Sequence, residues 1–167
     1  ATGYALRKGG SFNRKHYANG GGYTAAVCFR AVEALLNYME ASYMLTGTLD
    51  ATAREYWTAI RQRANISTDI DKTIAATNMS MEAENDWGAY TAGAILTDKT
   101  LYNIRRERRC EFMAEGIRYM DLRRWRSMDQ LVSTPSHLEG MHLWNTPMES
   151  WYLNGQGQTI LVADGSN

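Results

Sequence analysis

Apolar residues recur at helical spacing early in the chain. Cys28, Val32, Leu35, Met39 and Tyr43 follow one another at steps of four, three, four and four, which places them on one helical face. This pattern predicts a helix over 25–46, with Thr24 as its N-cap and Gly47 just past its end. Arg30, Glu33, Asn37 and Glu40 form a second, polar stripe at offsets 0, 3, 7 and 10. Ala34 and Ala41 flank that stripe, and apolar residues occupy nearly every other position. A helix apolar almost all round is a buried helix, so its polar stripe is expected to meet partners inside the protein.

A second helix is predicted over 50–64, capped by Asp50, with Ala53, Tyr56, Trp57, Ile60 and Ala64 on its apolar face. Arg54, Arg61 and Arg63 are its solvated or pairing positions. The short turn at Gly47–Leu49 implies an antiparallel helix pair of tetratricopeptide type, although no second copy at a 34-residue period is visible. Residues 65–96 are polar and acidic and predict a loop excursion with at most one short helix, near Asp71–Thr77. A third helix over 97–114, capped by Thr97 or Asp98, is followed after Gly116 by a short helical stretch from Ile117 to Met128. Residues 1–24 are a Gly-rich loop with Tyr4–Arg7 extended. Residues 129–167 are irregular apart from a candidate strand at Thr159–Ala163. The expected segments are thus 1–24, 25–64, 65–96, 97–128 and 129–167.

Length and composition narrow the function classes. The 167 residues suffice for one domain or one large piece of a bigger one, and 44% apolar with 22% charged residues excludes disorder along the whole chain. Eighteen basic residues balance eighteen acidic ones, so no global field favours nucleic acid or an anionic membrane. No apolar run approaches the roughly 18 residues of a spanning helix. Cys28 and Cys110 read as small buried hydrophobes rather than a disulfide framework. The Gly-rich opening lacks the Gly-Lys-Ser/Thr ending of a phosphate loop. His16, His137 and His142 have no zinc spacing, and the acids of 69–86 have no calcium-loop spacing, so neither a metal nor a cofactor is expected.

Charge is uneven in one place. Eight of the fourteen arginines lie between Arg105 and Arg126, against Glu107, Glu111, Glu115 and Asp121. Arg108, Glu111, Glu115 and Arg118 share a face, at offsets 0, 3, 7 and 10, if the helix persists past Gly116. Arginine without lysine indicates geometrically fixed ion pairs. Glu107, Glu111 and Glu115 invite a glycosidase reading, but the crowding arginines would hold them ionised, and a general acid needs the reverse. Interleaved acids likewise argue against nucleic acid. A structural network is expected of Arg30, Glu33, Glu40, Arg108, Arg109, Glu111, Glu115, Arg118 and Asp121, in which Glu33 and Glu40 meet Arg105, Arg108 or Arg109 across a helix interface.

The run from Glu107 to Trp125, Glu-Arg-Arg-Cys-Glu-Phe-Met-Ala-Glu-Gly-Ile-Arg-Tyr-Met-Asp-Leu-Arg-Arg-Trp, resembles the signature of the SusD/RagB family. The helix Arg30–Ala41 and the segment Ile60–Ala64 are similar to two further family motifs, as is Thr2-Gly3-Tyr4 with Arg7-Lys8. Order and spacing agree over 1–147. Val32 and Met39 stand where the family often has Ala, and the family's Tyr-Leu-x-Pro ending is not recognisable after Ala163. The resemblance implies a mainly α fold with tetratricopeptide-type helix pairs and long irregular loops, of which this chain is the C-terminal portion. It implies a non-catalytic outer-membrane lipoprotein of the cell surface, anchored by a lipid on the missing N-terminus. Such a protein binds a polysaccharide or oligosaccharide and works with a SusC-like TonB-dependent transporter. The alternative is a helical protein–protein scaffold without a glycan site of its own. The motif specifies no ligand site. Flat rings beside hydrogen-bonding side chains suit sugars, which singles out Trp87, Tyr90, Trp144, Asn145 and Trp151, with Asn85 and Asp86 beside Trp87. The structural alternative for each ring is that it covers the core.

Overall fold

The computed structural model describes residues 6, 8–11, 13–17, 19–22 and 28–133, with the single positions 146, 156 and 158. The chain divides into two units, Ser11–Ser136 and a second made of Ala1–Gly10 with His137–Asn167. The fold of the first unit is mainly helical, as expected of its patterning. Thr24, Tyr4–Arg7 apart from Leu6, and the candidate strand Thr159–Ala163 lie outside the described residues.

Helix α1 spans Ala31–Thr46 and α2 spans Ala51–Arg63. The first begins later than the spacing predicts. Arg30 is extended (φ −126°, ψ 133°), and no side chain caps the helix there. Cys28 is therefore an exposed residue ahead of the helix rather than part of its buried face. Leu36, fully buried, fills the centre of the core, while Leu35 is only partly buried. Gly47 ends α1 in the left-handed region (φ 70°), its N–H donating to the Tyr43 carbonyl at 2.8 Å. Asp50 then starts α2 by accepting the Ala53 N–H at 2.7 Å. Val32, Leu36 and Met39 of α1 pack against Ala53, Trp57 and Ile60 of α2.

Residues 65–96 hold more order than the sequence predicts. Helix α3 covers Ile70–Ala76, α4 covers Met79–Asn85, and a 3₁₀ turn covers Trp87–Ala89. The polar residues that suggest a loop are largely its caps. Asp69 accepts from Lys72 N, Asn78 from Ser80 N and Met81 N, and Asp86 from Gly88 N. A two-residue hairpin follows, β1 (Tyr90–Thr91) pairing antiparallel with β2 (Ala94–Ile95). Its turn places Ala92 and Gly93 at φ 51° and 80°, the double positive φ of a tight hairpin loop. Ala83 and Ala89 pack on Tyr102 in a second small core.

Helix α5 (Lys99–Glu111) is capped by Asp98, which accepts from Thr100 N at 2.9 Å and Leu101 N at 3.0 Å. Its Ile104, with Phe112 just past its end, completes the core of the helix pair. The helix does not persist past Gly116. Ala114 (φ 63°) and Gly116 (φ 78°) turn the chain before α6 (Arg118–Arg124), and a short α7 covers Gln130–Ser133. Cys110 is exposed, because α5 buries Tyr102, Asn103, Ile104, Arg105, Glu107 and Arg108 instead.

Leu36→Ala removes side-chain volume at the centre of the α1–α2–α5 core. It is expected to lower stability by about 2–5 kcal/mol. Denaturant unfolding measures this, and a change under about 1 kcal/mol would place the core elsewhere.

Candidate binding cleft and its ion-pair frame

The signature helix α5 is held by charges that are themselves buried. Glu107 accepts from Trp57 Nε1 at 2.8 Å and from Arg61 Nε and Nη2 at 3.0 Å. Arg61 also donates to the Ser67 carbonyl and Thr73 Oγ1, tying α2 to the loop before α3 and to α3 itself. One step round the helix, Arg108 Nε donates to both oxygens of Asp121 at 2.8 Å, and its Nη1 donates to Asn37 Oδ1 at 2.8 Å. Arg30 bridges Glu111 and Glu115, and Arg63 reaches Glu111 from α2. The extended Arg30 thus clamps the turn after α5 rather than capping its own helix.

The polar stripe of α1 does face inward, but its partners are redistributed. Glu33 lies 3.6 Å from Arg108 and is 36% exposed at its side chain. Glu40, only 4% exposed there, meets Arg124 Nη1 and Nη2 at 2.7 and 2.6 Å and Trp125 Nε1 at 2.7 Å. Its hydrogen-bond partners therefore come from α6 and its end, while Arg105, one of the expected arginines, acts on it through charge alone. Arg109 and Arg118 share Asp86. Arg105 donates to the Gly88 and Tyr90 carbonyls and Thr91 Oγ1, and stacks 4.8 Å from the centre of the Trp125 ring. Burial pushes its guanidinium down to about 10. A Cβ on Gly88 would stand 3.1 Å from Asp86 Oδ1 and 3.2 Å from Arg118 Nη2, so glycine is what lets this pair close.

Between α1 and α6 lies a cleft of about 600 Å³. Glu33, Asn37 and Met44 line it from α1, and Met120, Asp121 and Arg124 from α6. Its wall carries both carboxylates and the guanidiniums of Arg108 and Arg124, and Met44 and Met120 are exposed beside them. Burial alone would raise the Glu40 carboxyl, but the hydrogen bond and charge of Arg124 and the Trp125 N–H outweigh it and hold the group below its usual range. A carboxylate kept ionised in this way is a poor proton donor, and its two oxygens are already taken by Arg124 and Trp125.

The candidate ligand residues separate. Trp87 is half-buried on the 3₁₀ turn. Tyr90, also half-buried, packs on the Ala83–Ala89–Tyr102 cluster and donates its hydroxyl to the Ala83 carbonyl at 3.1 Å. Asp86, beside Trp87 in the sequence, is not free for sugar hydroxyls. It accepts from Gly88 N, Tyr102 OH, Arg109 and Arg118. Trp144, Asn145 and Trp151 lie outside the described residues. The expected network left out Glu107, Asp86, Arg124 and Trp125, while Arg61, named as a solvated or pairing position, pairs with Glu107. The only advance signal for them was the density of charge around Trp57 and Trp125.

A helix pair locked onto an arginine-rich helix by buried ion pairs defines a helical scaffold. A family model described as the SusD family matches residues 1–156. The chain belongs to the SusD family, whose members are nutrient-binding proteins associated with the outer membrane. No curated protein and no solved structure matches it.

Glu40→Ala leaves the buried Trp125 N–H without its acceptor, while Arg124 keeps Asp121, and is expected to cost about 1–3 kcal/mol. Glu33→Ala, at the exposed rim, is expected to cost under about 1 kcal/mol. Equal effects in urea unfolding would contradict the division between buried frame and rim. The pH dependence follows from the lowered Glu40 value. Its contribution is complete above the ordinary value of 4.5 and is lost as pH falls through the lower folded value. Acid unfolding should therefore be steeper for the native protein than for Glu40→Gln.

Proposed function

We propose that this chain is part of a cell-surface subunit that binds a polysaccharide or oligosaccharide and hands it to a SusC-like TonB-dependent transporter. The full-length protein is an outer-membrane lipoprotein and performs no chemistry on its ligand. The observation that carries the reading is the SusD-family match over 1–156. The ion pairs support it, because Glu107, Glu111 and Glu115 are each engaged by arginine and so suit structure better than acid–base catalysis.

Trp87 is the proposed stacking surface among the described residues, with Trp144, Asn145 and Trp151 as further contacts. Tyr90 backs the same turn. The scaffold alternative draws on Met44 and Leu45, which are 63% and 86% exposed near the end of α1 and offer an apolar surface to a protein partner.

Native affinity gels of the full-length protein, cast with a panel of soluble polysaccharides, test the reading. Retardation by at least one glycan, whose chain length is unchanged afterwards, is the expected result. Trp87→Ala, folded as judged by its unfolding transition, should migrate with less retardation. Shortening of the polymer would establish an enzyme. Migration unaffected across the panel would favour the scaffold.

A further inference from the structure

A smaller cavity, of about 320 Å³, opens between the turn after α5 and α6. Its wall carries Arg108, Arg109 and Arg118 against the single carboxylate of Asp121, with Phe112 and Met113 as apolar surface. Arg108 and Asp121 satisfy one another at 2.8 Å. Arg109 and Arg118 do not balance in this way, because both turn to the one carboxylate of Asp86.

The arrangement has a direction. The Asp86 side chain is 3% exposed, whereas those of Arg109 and Arg118 are 35% and 33% exposed. The counter-charge sits behind and the cations in front. Arg105 is buried behind them, its charge met by Glu40 and then by Asp86, and it donates to the Gly88 and Tyr90 carbonyls and Thr91 Oγ1. Arg109 and Arg118 thus share one Asp86 carboxylate, a local surplus of one positive charge (2 − 1). Arg118 Nη1 makes no hydrogen bond among the described residues, so donors outnumber acceptors at this end of the frame. Exposed guanidiniums in surplus recognise a planar anion through paired N–H groups.

The size and the apolar wall limit what that anion belongs to. The volume is at the low end of ligand pockets, which run from roughly 300 to 1,000 Å³, and suits a single sugar ring. Met113, 60% exposed, offers an apolar surface to the C–H face of such a ring. The chain's net charge is zero, so preference for an anion here is local rather than a property of the whole surface.

We propose that this cavity binds an acidic sugar unit, with its carboxylate on Arg109 and Arg118 and its ring against Met113. The proposal rests on the glycan-binding reading above and narrows the ligand to a polysaccharide containing uronic acid.

Calorimetric titration of the full-length protein with oligogalacturonides and oligoalginates, beside their carboxyl-reduced counterparts, is the test. The acidic oligosaccharides are expected to bind at least about tenfold more tightly than the reduced ones, a margin of about 1.4 kcal/mol that shrinks with added salt. Arg109→Gln should abolish the margin, and Arg109→Lys should retain part of it, each variant being shown folded by its unfolding transition. Equal binding of acidic and reduced oligosaccharides by the native protein overturns the proposal while leaving the glycan reading in place. So does a folded Arg109→Gln that keeps the full margin. Failure of both kinds of oligosaccharide to bind overturns the proposal, and the glycan reading then stands or falls by the affinity gels.

Discussion

A guanidinium taken out of water costs several kcal/mol unless acceptors meet most of its N–H groups. Helix α5 buries two such groups on one turn, Arg105 and Arg108, with Glu107 between them. None of the hydrogen-bond partners of the Arg108 side chain lies within α5. Asp121 comes from α6 and Asn37 from α1, while Glu107 depends on Trp57 and Arg61 of α2. The helix can enter the core only when the elements around it are docked. The apolar contacts of Leu36, Trp57 and Ile104 supply the driving force, and the ion pairs restrict which arrangement satisfies it.

That restriction also shapes the chemistry available to the molecule. Arginines hold the acidic groups of the frame, and Glu40 is kept ionised although it is buried. The same pairs that orient the helices therefore leave acceptors and donors along the α1–α6 cleft, and a surplus of cations beside Asp86. Tyr102 shows the other side of such packing. Burial, and then the hydrogen bond to Glu82, raise its hydroxyl well above the usual range, so it serves as a fixed donor. Binding to preset groups is consistent with membership of a nutrient-binding family.

Much of the fold was legible from local pattern. The α1–α2 pair followed from the spacing of Val32, Met39, Trp57 and Ile60, and the Asp50 and Asp98 caps from their place before those patterns. In the segment 65–96 the one expected helix is α3, but α4 and the turn at Trp87–Ala89 were missed because Asn78 and Asp86 have the composition of a loop, yet each caps the element that follows it. Cys28 and Cys110 were misread because apolar neighbours in sequence do not say which side of a helix faces water, or whether the helix has begun.

By itself the sequence determined the family, the helix pair and the engagement of the signature's charged residues in ion pairs, since these depend on residue type and local spacing. Only the tertiary structure decided who pairs with whom. Glu40 takes Arg124 and Trp125, Arg105 takes the hairpin carbonyls, and Arg109 shares Asp86 with Arg118. The physical reason is the turn at Ala114 and Gly116. It breaks the helical register between α5 and α6, so the offsets that align Glu111 with Arg118 on paper no longer describe neighbours in space.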